Sequence, residues 1–307
     1  MASAQAVEKK LEKPAASRDL LPLASIMVAT DFSPASARAV DYAVSLARRF
    51  SSRVYVTHIV GHPGHAAPEP DPGAPAAESF RQQAERHAKE LENSGRLFGV
   101  PYLVLIEEGT LWPAIEQLIE RYKIDLLVLG THGASGVRKV LAGSSAEAIF
   151  RQARIPVLTA GPEATEEPLF EAEFKSILCA TDFGPGAERA AACAFALAQE
   201  HRARLLMLHV STRSEGLTER DVVYERESIV RTLQELLPTG YELTCQQQFH
   251  LAYGKPVEEI LRVAQETDAD LIVIGAKPRE NLAGHIPHTK AYRIVCGAKC
   301  PVLTVKS

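Results

Sequence analysis

At 307 residues, with 46% hydrophobic and 23% charged positions, the chain is long enough for two cores and too apolar for global disorder. A formal net charge of −4, from 34 basic and 38 acidic residues, excludes a general binder of nucleic acid or anionic lipid and leaves room for a small, locally made anion site. No run approaches the ~18 apolar residues of a membrane helix, and the opening MASAQAVEKKLEKPAASRDL has lysines with no apolar stretch behind them, so the expected setting is cytoplasmic, with a flexible tail over 1–20.

The first predicted strand, IMVAT (26–30), runs straight into a turn, Ala29-Thr30-Asp31-Phe32-Ser33, with a carboxylate at its tip. A helix follows: Ser33 can cap it, Pro34 suits its first turn, and Val40, Ala43, Val44 and Ala47 share one face. A further strand ends at His58-Ile59, and GHPGHAAPEPDPGAPAA (61–77) reads as a loop from its proline and glycine content. The strand LLVLG (126–130) then leads into Gly130-Thr131-His132-Gly133-Ala134-Ser135-Gly136 and on to Gly143-Ser144-Ser145, which opens the helix SSAEAIFRQA. Glycines leave backbone amides uncovered by any Cβ, and a helix start offers free N–H groups and a positive dipole end. This stretch is predicted to be a phosphate cradle. PVLT (156–159) closes the unit.

After a polar, acidic join at 161–174, the same unit is written again. Residues 26–59 laid on 177–210 at an offset of 151 are identical at 13 of 34 positions, among them the Ala-Thr-Asp-Phe turn (Ala180 to Phe183) and His58 against His209. Beyond the loop the offset becomes 145: Gly109 meets Gly254, Asp125 meets Asp270, Gly130 meets Gly275 and Pro156 meets Pro301. Short strands apolar on both faces, alternating with helical periods, indicate parallel sheets covered by helices. The expected fold is therefore α/β, two tandem doubly wound domains, each a five-stranded parallel sheet, over 21–160 and 175–307.

With the turn, the strand ends and the glycines in place, the chain resembles the universal stress protein family over nearly its whole length. The ATP-binding branch of that family carries glycine, two residues, glycine, nine residues, then glycine followed by serine or threonine. Gly130, Gly133, Gly143 and Ser144 meet this spacing. The resemblance implies binding of ATP or a related adenine nucleotide in a stress response, with Ala29, Thr30 and Asp31 at the adenosine and Ile59 beside the base. It places Gly130, His132, Gly133, Gly143, Ser144 and Ser145 around ribose and phosphates, with Mg2+ arriving on the phosphate tail. It also implies pairing through the last strands, either between the two domains of one chain or between two chains. Because no Walker loop or kinase loop is present, the expected role is a binding module with at most slow ATP hydrolysis. A nucleotide hydrolase or transferase and a ligand-free scaffold are the alternatives.

The second copy has Gly275, Pro278, His288 and Thr289 where the first has the motif, and proline donates no N–H. It is not expected to hold ATP in the same way, although Asp182 persists and Lys277, Arg279 and Lys290 make its loop basic. Plainer readings stand beside these. Ser144 with Glu147 forms a capping box, Asp31 can serve a helix dipole, and His58, His62 and His65 lack partners at metal-ligand spacing. The five cysteines, all in the second copy and without a CxxC pair, are expected to be reduced, with Cys296 and Cys300 packed in the core.

Overall fold

The computed structural model describes residues 17–61, 79–130, 149, 152–160, 172–212, 218–276 and 289–306. In chain order these form β1 (Ser25–Ala29), α1 (Pro34–Phe50), β2 (Arg53–Val60), α2 (Phe80–Asn93), β3 (Tyr102–Glu108), α3 (Leu111–Tyr122), β4 (Leu126–Gly130) and β5 (Val157–Ala160). The repeat supplies β6 (Ser176–Thr181), α4 (Ala187–His201), β7 (Arg204–Ser211), α5 (Glu219–Glu235), β8 (Gln246–Tyr253), α6 (Pro256–Glu266), β9 (Leu271–Ala276), α7 (Lys290–Gly297) and β10 (Val302–Lys306).

Helix α1 starts as its sequence requires. Ser33, extended at ψ 158, accepts from the Ser36 amide, and Pro34 occupies the first turn where no N–H is needed. Ser51 ends the helix in the left-handed region, its amide bonded back to Ala47. Strand entry is fixed by one carboxylate in each half. Asp125 Oδ2 accepts from the amides of Ala24 and Ser25 at 2.8 and 2.9 Å, and its repeat mate Asp270 accepts from Lys175 and Ser176 at 2.7 and 2.9 Å.

Strand order within the first half is β3-β2-β1-β4-β5, all parallel, and β8-β7-β6-β9-β10 repeats it. The two are one sheet. β5 and β10 pair antiparallel, Leu158 opposite Leu303 and Thr159 opposite Val302, which joins the halves into ten continuous strands. Both strands are buried on both faces, so neither can leave its edge in water without exposing apolar side chains and unpaired amides. The sheet is accordingly mixed.

Side-chain alternation sends Ile26, Val28, Leu126, Val128, Ile177 and Cys179 to one face, where α1 and α4 close a single core that runs across the seam. On the other face each half has its own cluster. Met27, Leu127 and Leu129 meet Ile115 and Leu118 of α3, and Leu178, Ile272 and Ile274 meet Ile260 of α6 and Ile294 of α7. Cys179, Cys193 and Cys245 are buried as expected, whereas Cys296 is exposed and Cys300 intermediate. An eight-residue helix buries one stripe, and Cys296 falls outside it.

Polar ties also cross between the halves. The Ala172 amide donates to Ser45 Oγ at 2.7 Å, and Arg49 donates to the carbonyl of Glu200, its own repeat mate, at 2.6 Å. Beside that contact Phe174 donates its amide to His201 Nδ1 at 3.3 Å, and the two rings lie 4.8 Å apart. Burial, with the Arg49 guanidinium adding to it, pushes the His201 imidazole down to about 4. A depressed folded value means the unfolded chain takes the proton first, so stability is full above pH ~6.5 and is lost as pH falls from there towards 4. The first half carries Phe50 at the matching place. His201→Phe is expected to flatten the stability profile between pH 6.5 and 4, measured by urea unfolding at each pH; an unchanged slope would assign it to other groups.

Candidate functional site

The topology brings β1 between β2 and β4, and the connections leaving β1 and β4 diverge at their carboxyl ends. This is where doubly wound sheets open a crevice. Ala29, Thr30 and Asp31 stand at the end of β1, Ile59 near the end of β2, and Gly130 is the last residue of β4. Five of the ten predicted site residues thus share one sheet edge. His132, Gly133, Gly143, Ser144 and Ser145 lie outside the described residues.

The turn after β1 is held by its own side chains. Thr30 Oγ1 accepts the Phe32 amide at 2.9 Å and bonds Ser36 Oγ at 2.8 Å, while the Thr30 amide donates to the Thr57 carbonyl at 2.9 Å. Thr30 and Ser36 are both buried, so the Thr30 hydroxyl is occupied within the turn. Asp31 is exposed, and its Oδ1 accepts from the Ser33 amide at 3.0 Å. Phe32 is forced to φ 59, a region costly for a residue with a Cβ.

The Phe32 ring packs against His87 at 5.8 Å and against His58. The Phe32 and His58 rings lie 5.0 Å apart, and His58 Nδ1 meets the Thr30 carbonyl at 2.8 Å. A carbonyl only accepts, so Nδ1 carries the proton. His58 is therefore a lock on the turn. The second half reproduces the lock but not the Thr30–Ser36 hydroxyl pair, because Ala187 stands where Ser36 does. Phe183 sits at φ 57 with its amide on Thr181 Oγ1 at 3.0 Å, Gly184 donates to Asp182 Oδ1 at 2.9 Å, and His209 Nδ1 meets the Thr181 carbonyl at 2.9 Å under a ring pair 4.6 Å apart. This Phe-His lock was not among the sequence-predicted site residues. The signal was available: both residues recur at the offset of 151.

Around the crevice of the first half, Ile59, Ala29, Leu111 and Trp112 pack partly buried against the α3 core. Trp112, the chain's single tryptophan, therefore reports on this wall. In the second half the corresponding edge encloses a cavity of about 360 Å³. Its walls are Leu208, Val210, Ile260, Ile274 and Ile294, with Thr181, Asp182, His209 and Lys290 also on the lining. Strand ends, the turn and the helices α6 and α7 frame it. Gly275 has a packing role there. A Cβ on it would stand 3.3 Å from the Gly186 carbonyl oxygen at the start of α4.

The class defined by this sheet, its repeated turn and its open carboxyl edge is a tandem doubly wound α/β protein. The chain belongs to the universal stress protein family, whose sequence profile matches residues 23–160 and again 173–306. It is similar to a universal stress protein of Thermus aquaticus, 35% identical over 143 residues that make up 43% of this chain and 99% of that protein. A universal stress protein of Methanocaldococcus jannaschii is 29% identical over 134 residues, 43% of this chain and 79% of its own. Among solved structures, a universal stress protein from Archaeoglobus fulgidus superposes with a TM-score of 0.65 at 19% identity, covering 92% of this chain and 98% of that one. One from Pseudomonas aeruginosa gives 0.63 at 19% identity, covering 94% and 95%. At such identities the likeness is one of fold.

Proposed function

We propose that the first half binds ATP or a related adenine nucleotide, and that the chain works as a cytoplasmic nucleotide-responsive module in stress response or signalling, with at most slow hydrolysis. The observation that carries this reading is the meeting of the Thr30-Asp31 turn, Ile59 and Gly130 at one sheet edge. From Gly130, the last residue of β4, the sequence counts off Gly133, Gly143 and Ser144 at the family's spacing. In this reading Ile59 supports the base, Asp31 accepts from adenosine donors, and the amides and hydroxyls of the cradle take the phosphates.

The residues fit a magnesium ion carried on the nucleotide better than a resident one. Among the described residues no three His, Cys, Asp or Glu side chains converge, and magnesium is commonly held by phosphate oxygens, waters and one or two carboxylates. When bound, it would neutralise phosphate charge. Solved members of the family include complexes with cAMP and, from Archaeoglobus fulgidus, with dAMP. Those ligands belong to those proteins, and the case for this chain rests on its own residues.

Titration of ATP into the full chain, followed by Trp112 fluorescence and calorimetry, tests the reading. Asp31→Ala is expected to weaken binding by about tenfold or more, the loss of a hydrogen bond to a charged acceptor at about 1.5–3 kcal/mol. Gly143→Val should do the same by covering the amides, and unchanged affinity in both variants would refute the site. Turnover at ordinary enzymic rates, abolished by changing His132 or Ser144, would replace the binding module with a hydrolase.

A further inference from the structure

We propose that two copies of this chain pair through their β3 edges, antiparallel and centred on Leu105, so that one sheet runs through both. β3 and β8 are the outer strands of the ten-stranded sheet. The pairing of last strands that could have joined two chains is already made inside one chain by β5 and β10. An outer edge is what remains for a second copy.

The main chain of β3 is set for a further strand. At one end of it the Val54 amide donates to the Pro101 carbonyl at 2.9 Å, and at the other the Gly109 amide donates to the Val60 carbonyl at 3.0 Å. In a parallel ladder alternate residues turn both backbone groups to the same neighbour. With Val54 opposite Tyr102 and Val60 opposite Glu108, Leu103, Leu105 and Glu107 therefore bond to β2. Tyr102, Val104, Ile106 and Glu108 turn their N–H and C=O groups the other way, where the described sheet has no strand. Such a row is a template for pairing.

The two outer edges differ in what they show to water. Tyr-Leu-Val-Leu-Ile (102–106) contains no charge, proline or glycine, and Tyr102 and Leu103 are exposed, as is Phe98 just before them. Edges that stay open are ordinarily blunted by charge, proline or a bulge. In β8 the same register puts Gln247, Gln248 and His250 at the places of Tyr102, Leu103 and Leu105, so that edge can face water without presenting an apolar run. The β3 edge has the composition of one that is covered.

Symmetry and charge name the occupant. Turned about a twofold axis through Leu105, β3 meets itself with Tyr102 opposite Glu108 and Val104 opposite Ile106. The four outward-turned residues are then one another's partners, and all their backbone groups are paired. Both glutamates of β3 lie at its carboxyl end, so antiparallel pairing sets each against an uncharged residue: Glu107 against Leu103, and Glu108 against Tyr102. Glu108 Oε1 accepts from Arg81 at 3.2 Å, and a carboxylate has capacity for the Tyr102 hydroxyl of the second copy as well. Parallel addition would stack glutamate on glutamate, which is unfavourable. The twofold consumes both β3 edges and leaves the two β8 edges outermost, so assembly stops at a dimer.

Sedimentation velocity of the full chain over a concentration series is expected to show a monomer–dimer equilibrium. Amide hydrogen exchange at Tyr102, Val104, Ile106 and Glu108 should slow only where the dimer is populated, since those amides gain partners in it alone. Tyr102→Glu sets carboxylate against carboxylate twice per dimer and should weaken association by about tenfold or more. Tyr102→Lys meets Glu108 as an opposite charge and should leave the dimer at least as tight. Tyr102 is exposed, and an unchanged thermal melt would show that each variant folds. A chain that stays monomeric at every concentration would overturn the proposal. So would a dimer indifferent to Tyr102→Glu, one that Tyr102→Lys breaks equally, or one without exchange protection at those four amides.

Discussion

Truncating Leu158 to alanine is expected to lower the stability of the whole chain by about 2–5 kcal/mol, the range for a buried leucine left as a cavity. Leu158 and its repeat mate Leu303 face one another in the β5–β10 pair and are 2% and 3% exposed. Around them the other mates also gather in pairs, Leu46 with Leu197, Leu126 with Leu271 and Leu23 with Phe174, about a void of about 10 Å³. That void is at the lower limit for a single water and has apolar walls, so it stays dry. Leu303→Ala should cost a similar amount. The double variant should cost less than the sum, because the two cavities merge and removing the first side chain already strips contacts from the second. Urea unfolding followed by Trp112 fluorescence for the first half and circular dichroism for both should show the two transitions moving together. A shift confined to one probe would mean that the seam does not couple the halves.

Replacing Arg96 with methionine should be comparably damaging, about 3–5 kcal/mol, because it strips a buried carboxylate of its guanidinium. Arg96 Nη1 reaches both oxygens of Asp41 at 2.6 Å, with side chains only 12% and 3% exposed. The pair straps the turn after α2 onto α1. Position 41 has Ala192 as its mate in the second half, which fills the place with no charge at all. Asp41→Ala combined with Arg96→Met is therefore expected to recover most of the loss, since an ion pair replaced by apolar side chains is often neutral. A double variant as unstable as Arg96→Met alone would show that packing by the guanidinium stem matters more than the stranded charge.

Much of this architecture was legible before any coordinates. Short strands apolar on both faces announce a parallel sheet, Ser33 and Pro34 mark the start of α1, and the repeated Ala-Thr-Asp-Phe turn points to the functional edge. These signals are local, because each rests on residues within a few positions of one another. The role of His58 was harder to read, since a histidine at a strand end does not announce from sequence which backbone group it meets. Only its 2.8 Å contact with the Thr30 carbonyl selects the lock. The second half was not expected to hold ATP in the same way, on the strength of its lost glycines. A cavity stands there all the same, walled by strand ends and by Ile260 and Ile294 of the flanking helices.

By itself the sequence determined that the chain is one unit written twice, where the buried strands around β1, β4 and β5 and their mates fall, where α1 begins, and which copy keeps the phosphate motif. Only the tertiary structure decided that ten strands make one sheet, and that Leu46, Leu126 and Leu158 meet their own mates. The reason is physical. Local patterning fixes which faces of a segment must be buried, but an unpaired strand edge can be satisfied by any other edge of suitable register. The choice between β10 and a second chain as the partner of β5 is made only when segments some 140 residues apart in sequence come together.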